Sequence, residues 1–293
     1  PFRVKLMEEG TIQDLTLLKN RGNWAFEGME PRFTIGLFSF QKSEPGPDPT
    51  IPIRGPYPDA DSFDEGVSQP PYRFEVDRAK SWTDKASFPA LPADSESIGV
   101  FKQMADTPPL ALNDEDQWRA RPTSELHTSQ DKTKDDGTNL MYFTDDPDDN
   151  FWPVYTGKSF NIWNHDTGER YAWADPDVVL DYIQESRENS YQYAGKRSAY
   201  YEMDEDWVHD KSTLTCLKPR VSFRDVARAT DSRTVIASLV PPNTFLVEKS
   251  PFFLWPRGTE KDEAYLLGML CSIPLDWYAR RFVETGLKYY LVN

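Results

Sequence analysis

The chain has 293 residues, enough for one large domain or for two modest ones with cores of their own. Aromatic residues make up 14% of it, so the mean hydropathy of −0.67 reflects charged and proline-containing loops, not a shortage of core-forming side chains. No run of about 18 apolar residues occurs, and no basic stretch followed by an apolar run opens the sequence. We therefore expect a soluble, cytoplasmic protein without a membrane-spanning helix.

Charge is distributed unevenly along the chain. The net charge of −15 argues against a nucleic-acid partner, because neutralising phosphates requires Lys and Arg. Residues 1–210 carry 21 basic and 40 acidic side chains, whereas residues 211–293 carry 12 basic and 8 acidic ones. A polyanion is therefore expected to meet the C-terminal third of the chain, or a groove that it lines.

The first half is predicted to contain a small sheet, a long loop and a helix. Apolar runs at 24–26 and 33–40 predict two strands joined by a turn. Residues 43–71 are dense in Pro, Gly, Asp and Ser and predict a loop without regular structure. Apolar spacing after Asp94 predicts an amphipathic helix that ends before Pro108.

An aromatic, strand-like region follows a second polar segment at 121–149. Strands are predicted at 151–155 and 160–163, with turns at Gly157 and at 166–168, so that the region forms a hairpin or meander.

The remaining residues alternate helix and strand signals. Asp175 precedes a proline, which predicts a capped helix start, and strands are predicted near 220–223 and 234–240. Residues 264–283 are apolar at helical spacing but interrupted by Pro274, which predicts two short helices. The predicted class is α+β, with mixed small sheets, flanking helices and closing C-terminal helices.

Familiar catalytic and cofactor motifs are missing from the sequence. No two glycines are separated by a single residue, which excludes the usual turn for S-adenosylmethionine or a dinucleotide. Gln69-Pro70-Pro71-Tyr72 lacks the Asp, Asn or Ser with which adenine methyltransferases grip a flipped base. No lysine has an acid two positions earlier, which excludes the simple metal-dependent nuclease motif. The histidines are scattered, and the two isolated cysteines, Cys216 and Cys271, are predicted to be buried free thiols.

Two segments are more specific. Residues 153–165 (PVYTGKSFNIWNH) resemble the PLYEGK…FDHR block that lies C-terminal to the catalytic domain in Eco57I-like DNA methyltransferases. That family includes type IIG restriction–modification enzymes and the adenine methyltransferases of BREX-type phage-defence systems. Residues 221–237 (VSFRDVARATDSRTVIA) are similar to the family's FRDVARATNERTMIAA block, and Pro241-Pro242 follows as in the family.

Weaker matches extend the resemblance over most of residues 18–291. Residues 266–280 (LLGMLCSIPLDWYAR) are similar to the closing LLALLNS…DYLAR segment, and residues 19–33 resemble the ENR…FKF segment that leads out of the catalytic domain. Cys271 stands where the family has Asn, and Pro274 interrupts the closing helix.

The resemblance implies a bacterial target-recognition region that binds double-stranded DNA. An N-terminal methyltransferase domain, with its S-adenosylmethionine and any restriction activity, is then expected in a longer parent protein that methylates adenine. The implied parts are an N-terminal α/β part at 1–120 containing the loop at 43–71, an acidic polar loop at 121–150, and a strand-rich DNA-recognition part with closing helices at 151–293.

Phosphate contacts and base contacts are expected from different side chains. The candidates for DNA binding are Lys158, Asn161, Asn164, Lys196, Arg197, Arg224, Arg228 and Arg233. For Arg224 and Arg233 an alternative stays open, in which they pair with nearby Asp residues or helix ends and only brace the fold.

Two other classes of function also stay open. An acidic DNA mimic that blocks a restriction enzyme would suit the acid surplus of residues 1–210. A carboxylate-based hydrolase, for instance one acting on carbohydrate, would suit the many Trp residues, because its two acids need not be adjacent in sequence.

The missing glycine motif leads to a prediction about the cofactor. The 293-residue chain is expected neither to bind S-adenosylmethionine nor to methylate DNA by itself. Calorimetric titration checks this, and saturable micromolar binding would contradict it.

Overall fold

The structure is a computed structural model that describes residues 2–31, 33–82, 89–92, 95–107, 110, 118–283 and 286–287. The chain divides into two compact units, one of residues 1–107 and 277–285 and one of residues 108–276 and 286–293. Both combine small sheets with helices, which confirms the predicted α+β class. Within these described ranges, no helix is both long enough and apolar enough to cross a membrane.

The first unit is built on a four-stranded sheet. Its elements are α1 (Phe2–Glu9), β1 (Thr11–Lys19), β2 (Thr34–Gln41), β3 (Thr50–Tyr57), α2 (Ala60–Val67), β4 (Tyr72–Glu75), α3 (Val76–Trp82) and α4 (Ser95–Ala105). The strand order is β2-β1-β3-β4, with β1 antiparallel to β2 and parallel to β3. Leu15, Ile53 and Phe101 are buried in its core, and α4 confirms the predicted helix, although Asp94 and Pro108 lie outside the described residues.

The strand predicted at 24–26 is wrong. The partner of β2 is β1, and residues 24–26 are irregular because the buried side chain of Asn20 satisfies their backbone instead. Its Oδ1 accepts hydrogen bonds from the amides of Ala25 and Phe26, both at 3.1 Å, and its Nδ2 donates to the Phe26 carbonyl at 2.7 Å. These groups are therefore unavailable for a strand ladder.

The loop predicted at 43–71 is also wrong, since it contains β3 and α2. Ile51 and Ile53 of β3 are buried between β1 and β4, so tertiary packing overrides the local Pro and Gly content. A capping box starts α2, in which Asp59 accepts from the Ser62 amide at 2.8 Å and donates its own amide to the Ser62 hydroxyl.

The second unit contains two sheets. Its elements are β5 (Arg121–Thr123), β6 (Trp152–Tyr155), β7 (Ala172–Ala174), α5 (Pro176–Tyr193), α6 (Glu205–His209), β8 (Arg220–Phe223), β9 (Ala237–Val240), β10 (Phe245–Leu246), β11 (Phe252–Leu254) and α7 (Glu260–Leu270), followed by α8 (Ile273–Ala279), which contributes residues to both units. The strand orders are β10-β6-β7 and β5-β11-β8-β9.

Several predictions for this unit are confirmed. Asp175 caps α5 by accepting from the Asp177 amide at 3.0 Å, and Val179 and Ile183 lie on its buried face. The closing segment forms two helices, and Cys216 and Cys271 are buried free thiols.

Two predicted strands of this unit are corrected. Residues 160–163 are an irregular turn, because β6 pairs with β7 and β10 instead. The strand predicted at 234–240 begins only at Ala237. The amides of Thr234 and Val235 donate to Asp276 Oδ1 at 2.7 and 2.8 Å, which removes them from the ladder.

A buried ion pair lies at the centre of the second unit. The side chains of Glu125 and Arg220 are 2% and 3% exposed, with Arg220 Nη2 2.8 Å from Glu125 Oε2. The carboxylate also accepts from the Leu246 amide at 2.8 Å, and Arg220 Nη2 donates to the Thr244 carbonyl at 2.8 Å. Burial raises the pKa of Glu125, while Arg220 and the other hydrogen-bond donors oppose that shift.

Breaking this pair is expected to be costly. Arg220→Met leaves a buried carboxylate without its counter-ion and should lower the free energy of unfolding by about 3–5 kcal/mol. Adding Glu125→Gln should restore part of that loss, because the amide oxygen still accepts from Leu246. Urea unfolding of both variants checks this. A loss below about 1 kcal/mol for Arg220→Met, the size seen for exposed pairs, would contradict it.

Candidate nucleic-acid interface

The candidate site is built on a long hairpin loop, residues 156–171, that connects β6 to β7. The two strands are antiparallel, with Val154 opposite Ala172, and the Tyr171 amide donates to the Val154 carbonyl at 2.9 Å. The loop therefore projects from the end of a buried strand pair. Part of the segment that resembles the PLYEGK…FDHR block lies in this loop.

A tight turn opens the hairpin loop, and we name residues 156–159 the Gly157 turn. The Ser159 amide donates to the Thr156 carbonyl at 2.9 Å, and the Thr156 amide donates to Ser159 Oγ at 3.0 Å. The amides of Gly157 and Lys158 donate to no acceptor in the described part of the chain. Adjacent unused amides of this kind can bind an anion.

Close packing explains the glycine at position 157. A Cβ there would lie 3.0 Å from the Lys249 carbonyl oxygen and 3.3 Å from Arg224 Cγ. The strand pairing brings these segments together, since β10 is parallel to β6 and the Val247 amide and Ser250 Oγ donate to the Tyr155 carbonyl at 3.1 and 3.0 Å. The Gly157 turn thus contacts two separate segments of the chain.

Three cationic side chains belong to the segments that meet here, and we name Lys158, Arg224 and Lys249 the basic cluster. Lys158 is exposed, and the Lys249 ammonium is 3.8 Å from Glu248 and 45% exposed. Arg224 is half-buried, and its Nη2 donates to the Phe160 carbonyl. Its Nε is buried and has no hydrogen-bond partner in the described part of the chain. Burial lowers the pKa of Arg224, but a guanidinium stays charged at neutral pH.

A second turn forms the middle of the hairpin loop, and we name residues 161–164 the Trp163 turn. The amides of Asn161 and Asn164 each donate to the other residue's carbonyl, at 2.7 and 3.0 Å. The two side-chain oxygens accept from the Ile162 amide at 2.9 Å and from the Asp166 amide at 3.2 Å. Both Asn side chains are exposed, and neither side-chain nitrogen donates to an acceptor among the residues described.

An ion pair anchors the far side of the hairpin loop. Arg170 donates from Nη1 and Nη2 to the two oxygens of Asp166, at 2.7 and 2.6 Å, and the Gly168 amide donates to Asp166 Oδ1 at 2.8 Å. Hydrogen bonds from Arg170 lower the pKa of Asp166 to about 2. The Arg170 guanidinium also lies 4.8 Å from the centre of the Tyr155 ring, so the loop is held against β6.

Other predicted residues lie elsewhere in the second unit. Lys196 and Arg197 are exposed in a short 3-10 helix, Gly195–Arg197, that follows α5, and none of their described contacts joins them to the Gly157 turn. Arg228 is exposed, and its amide donates to Asp231 Oδ2 at 3.0 Å. Contacts of these side chains with DNA stay predictions.

Arg233 contacts the end of α7. Its Nη2 donates to the carbonyls of Cys271 and Ser272, at 2.7 and 3.1 Å, and its Nε is 3.5 Å from Asp276 Oδ1. These contacts with a helix end and an aspartate are the ones expected if Arg233 only braces the fold. Binding of DNA by Arg233 stays a prediction.

Two exposed residues of this surface were missed from the sequence. The Lys249 carbonyl lies next to Gly157 because β10 pairs in parallel with β6. No local pattern in the sequence predicts that pairing. Trp163 is 72% exposed, whereas an aromatic residue in an apolar run is expected to be buried. The four-residue spacing of Asp166 and Arg170 is a signal that could have identified the loop's ion pair.

No family model matches the chain, and no curated protein is similar to it in sequence. Solved structures similar to it include the Type IIL restriction-modification enzyme MmeI in complex with DNA, with 11% sequence identity and a TM-score of 0.37. The match covers 96% of this chain and 34% of that chain, so the chain spans about a third of that enzyme's length.

The low pKa of Asp166 predicts how the loop responds to acid. Because the folded pKa of about 2 lies below the ordinary value of 3.8, the Asp166–Arg170 pair stabilises the fold above about pH 4. That contribution is lost as the pH falls towards 2. Asp166→Asn should therefore be less stable than the unaltered chain at neutral pH, and the difference should shrink in acid. Urea unfolding across this range checks this; a difference that does not change with pH would contradict it.

Proposed function

We propose that the chain is a target-recognition region that binds duplex DNA for an adenine-N6 DNA methyltransferase of a bacterial restriction–modification or phage-defence system. The methyltransferase domain and its S-adenosylmethionine belong to another part of that enzyme. In this proposal the chain selects the sequence, and the chemistry takes place elsewhere.

One observation carries the proposal: the two segments that most resemble the Eco57I-like family meet in space. Gly157 and Phe160, from the first segment, contact the Arg224 side chain, from the second. The segments are separated by more than fifty residues of chain. Their convergence on one surface supports a shared role.

The chemistry of that surface suits a phosphate. The unused amides of Gly157 and Lys158 offer hydrogen-bond donors, and the basic cluster adds charge. Charge-assisted hydrogen bonds of this kind position a protein on the DNA backbone without reading its sequence. Only one carboxylate, Glu248, forms a described ion pair with the cluster, and it also accepts from the amide and hydroxyl of Thr128, each at 2.8 Å.

Base reading is proposed for the exposed side chains of Asn161 and Asn164 in the Trp163 turn. Each keeps a side-chain nitrogen for donation and spare acceptor capacity on its oxygen, which is the pattern that pairs with adenine in the major groove. Lys196, Arg197 and Arg228 are further candidates because they are exposed.

Net charge limits the affinity of the isolated chain. With −15 overall, the binding of DNA is expected to be weak and to fall steeply as salt rises, because the release of counter-ions from DNA drives it.

Lys158 and Lys249 can be tested individually. Lys158→Ala and Lys249→Ala should each weaken binding about equally on all DNA sequences and reduce the salt slope by roughly one unit. Lys211→Ala is the matched control, since it removes the same charge from an ammonium that is 2.6 Å from Asp181. Fluorescence anisotropy with labelled duplexes over a range of salt concentrations measures both quantities.

Two results would contradict the proposed function. One is a control variant that loses as much affinity as the cluster variants. The other is an unaltered chain that binds no DNA at low salt but captures a DNA-binding enzyme, which is the behaviour of an acidic mimic.

A further inference from the structure

We propose that Trp163 is a stacking site for a nucleobase, at which the indole ring packs on a base that is exposed in the bound DNA. This inference rests on the proposed function and adds to it a contact that neither the sequence motifs nor the basic cluster assigns.

The first observation is the exposure of the side chain. Trp163 is 72% exposed, whereas Trp152 stacks on Phe245 and Trp118 stacks on Trp255 in the same unit. Within the described residues, the Trp163 ring has no aromatic, cationic or hydrogen-bonding partner. An indole offers a large apolar face that gains free energy when it is covered, and this face is available to a partner.

The second observation is the backbone. Trp163 has a φ of +57°, in the left-handed region that bulky residues rarely adopt. The reciprocal hydrogen bonds between Asn161 and Asn164, together with the contacts of their side-chain oxygens, hold the turn in this conformation. Strained backbone that the surrounding structure maintains is typical of functional positions. The indole is thus presented by a preformed turn, which lowers the entropy lost on binding.

The third observation is the chemistry around the turn. The Trp163 turn lies in the same hairpin loop as Lys158 and directly follows Phe160, whose carbonyl accepts from Arg224 of the basic cluster. Within that loop the Lys158 carbonyl also accepts from Thr167 Oγ1 at 2.7 Å. An aromatic face on a loop whose base is cationic matches a nucleotide, which combines a π-face with a phosphate. An apolar protein surface would not need the cations.

The π-face of a base is accessible only where stacking is interrupted. An enzyme that modifies a base inside a duplex takes that base out of the stack and leaves an opened step. Apolar side chains can insert at such steps. Trp163 is therefore expected to prefer single-stranded or opened DNA over a closed duplex.

The experiment compares the full 293-residue chain with Trp163→Ala and Trp163→Phe. Phe38→Ala serves as the control, because it removes an aromatic side chain that is 55% exposed on β2 of the other unit. The probes are a random-sequence single strand, the matching closed duplex, and the same duplex with a central mismatch, all at low salt. Affinity is measured by anisotropy of the labelled DNA, and stacking by quenching of tryptophan fluorescence.

We expect the unaltered chain to show quenching on the single strand and on the mismatched duplex. Trp163→Ala should bind both about 5- to 150-fold more weakly, the range for loss of one base-stacking aromatic residue. Trp163→Phe should keep most of the affinity and lose most of the quenching, which a merely structural role would not produce. Phe38→Ala should change neither quantity.

Unchanged affinity in Trp163→Ala, or unchanged quenching in Trp163→Phe, overturns the inference. If Lys158→Ala weakens binding while the Trp163 variants behave as the unaltered chain, only the stacking site fails and the proposed function stands. If the unaltered chain binds none of the three probes, the proposed function fails and the stacking site fails with it.

Discussion

The second unit depends on the buried ion pair between Glu125 and Arg220. Neither charge is exposed to water, so each depends on the other and on neighbouring hydrogen-bonding groups. Only Nη2 of Arg220 has a hydrogen-bond partner in the described part of the chain, and Glu125 also accepts from the Thr215 hydroxyl. The backbone partners of the pair are the Leu246 amide and the Thr244 carbonyl, which position β10. Because β10 pairs with β6, and β6 leads into the hairpin loop, the pair determines where the Gly157 turn lies. A buried electrostatic constraint thus helps to position the segment that carries Lys158 and the Gly157 turn.

The arrangement reconciles an acidic chain with a proposed anionic partner. A net charge of −15 repels DNA at long range, but the proposed contact involves only a few sites, where local geometry dominates. Near the Gly157 turn, Glu248 is the one carboxylate that forms a described ion pair with the basic cluster. The amides of Gly157 and Lys158 add hydrogen-bond donors that the net charge does not count. The same packing disfavours a side chain at 157, because its Cβ would lie 3.0 Å from the Lys249 carbonyl oxygen and 3.3 Å from Arg224 Cγ, which would have to shift by a few tenths of an ångström.

Local signals predicted the elements whose stabilising contacts are local. The Asp175 cap and the apolar spacing of α5 were sufficient, as were the spacing of α4 and the proline that divides α7 from α8. The prediction failed where a side chain from outside the segment hydrogen-bonds to its backbone, as the nearby Asn20 does at 25–26 and the distant Asp276 does at 234–235. It also failed for β3, which sheet packing stabilises. For the site, the sequence indicated Lys158 and Arg224, but Lys249 required the β6–β10 pairing.

Residues 221–237 show why resemblance to a block does not assign each residue in it a role. Arg224 and Arg233 lie nine positions apart on the same segment and were indistinguishable as phosphate ligands by sequence. In the structure Arg224 Nη2 donates to the Phe160 carbonyl of the hairpin loop, whereas Arg233 Nη2 donates to two carbonyls at the end of α7. The Nε of each is buried without a hydrogen-bond partner in the described part of the chain. An Arg at the C-terminal end of a helix satisfies carbonyls that have no partner within the helix. The two arginines of the segment therefore pack against different elements, and phosphate binding stays a proposal for each.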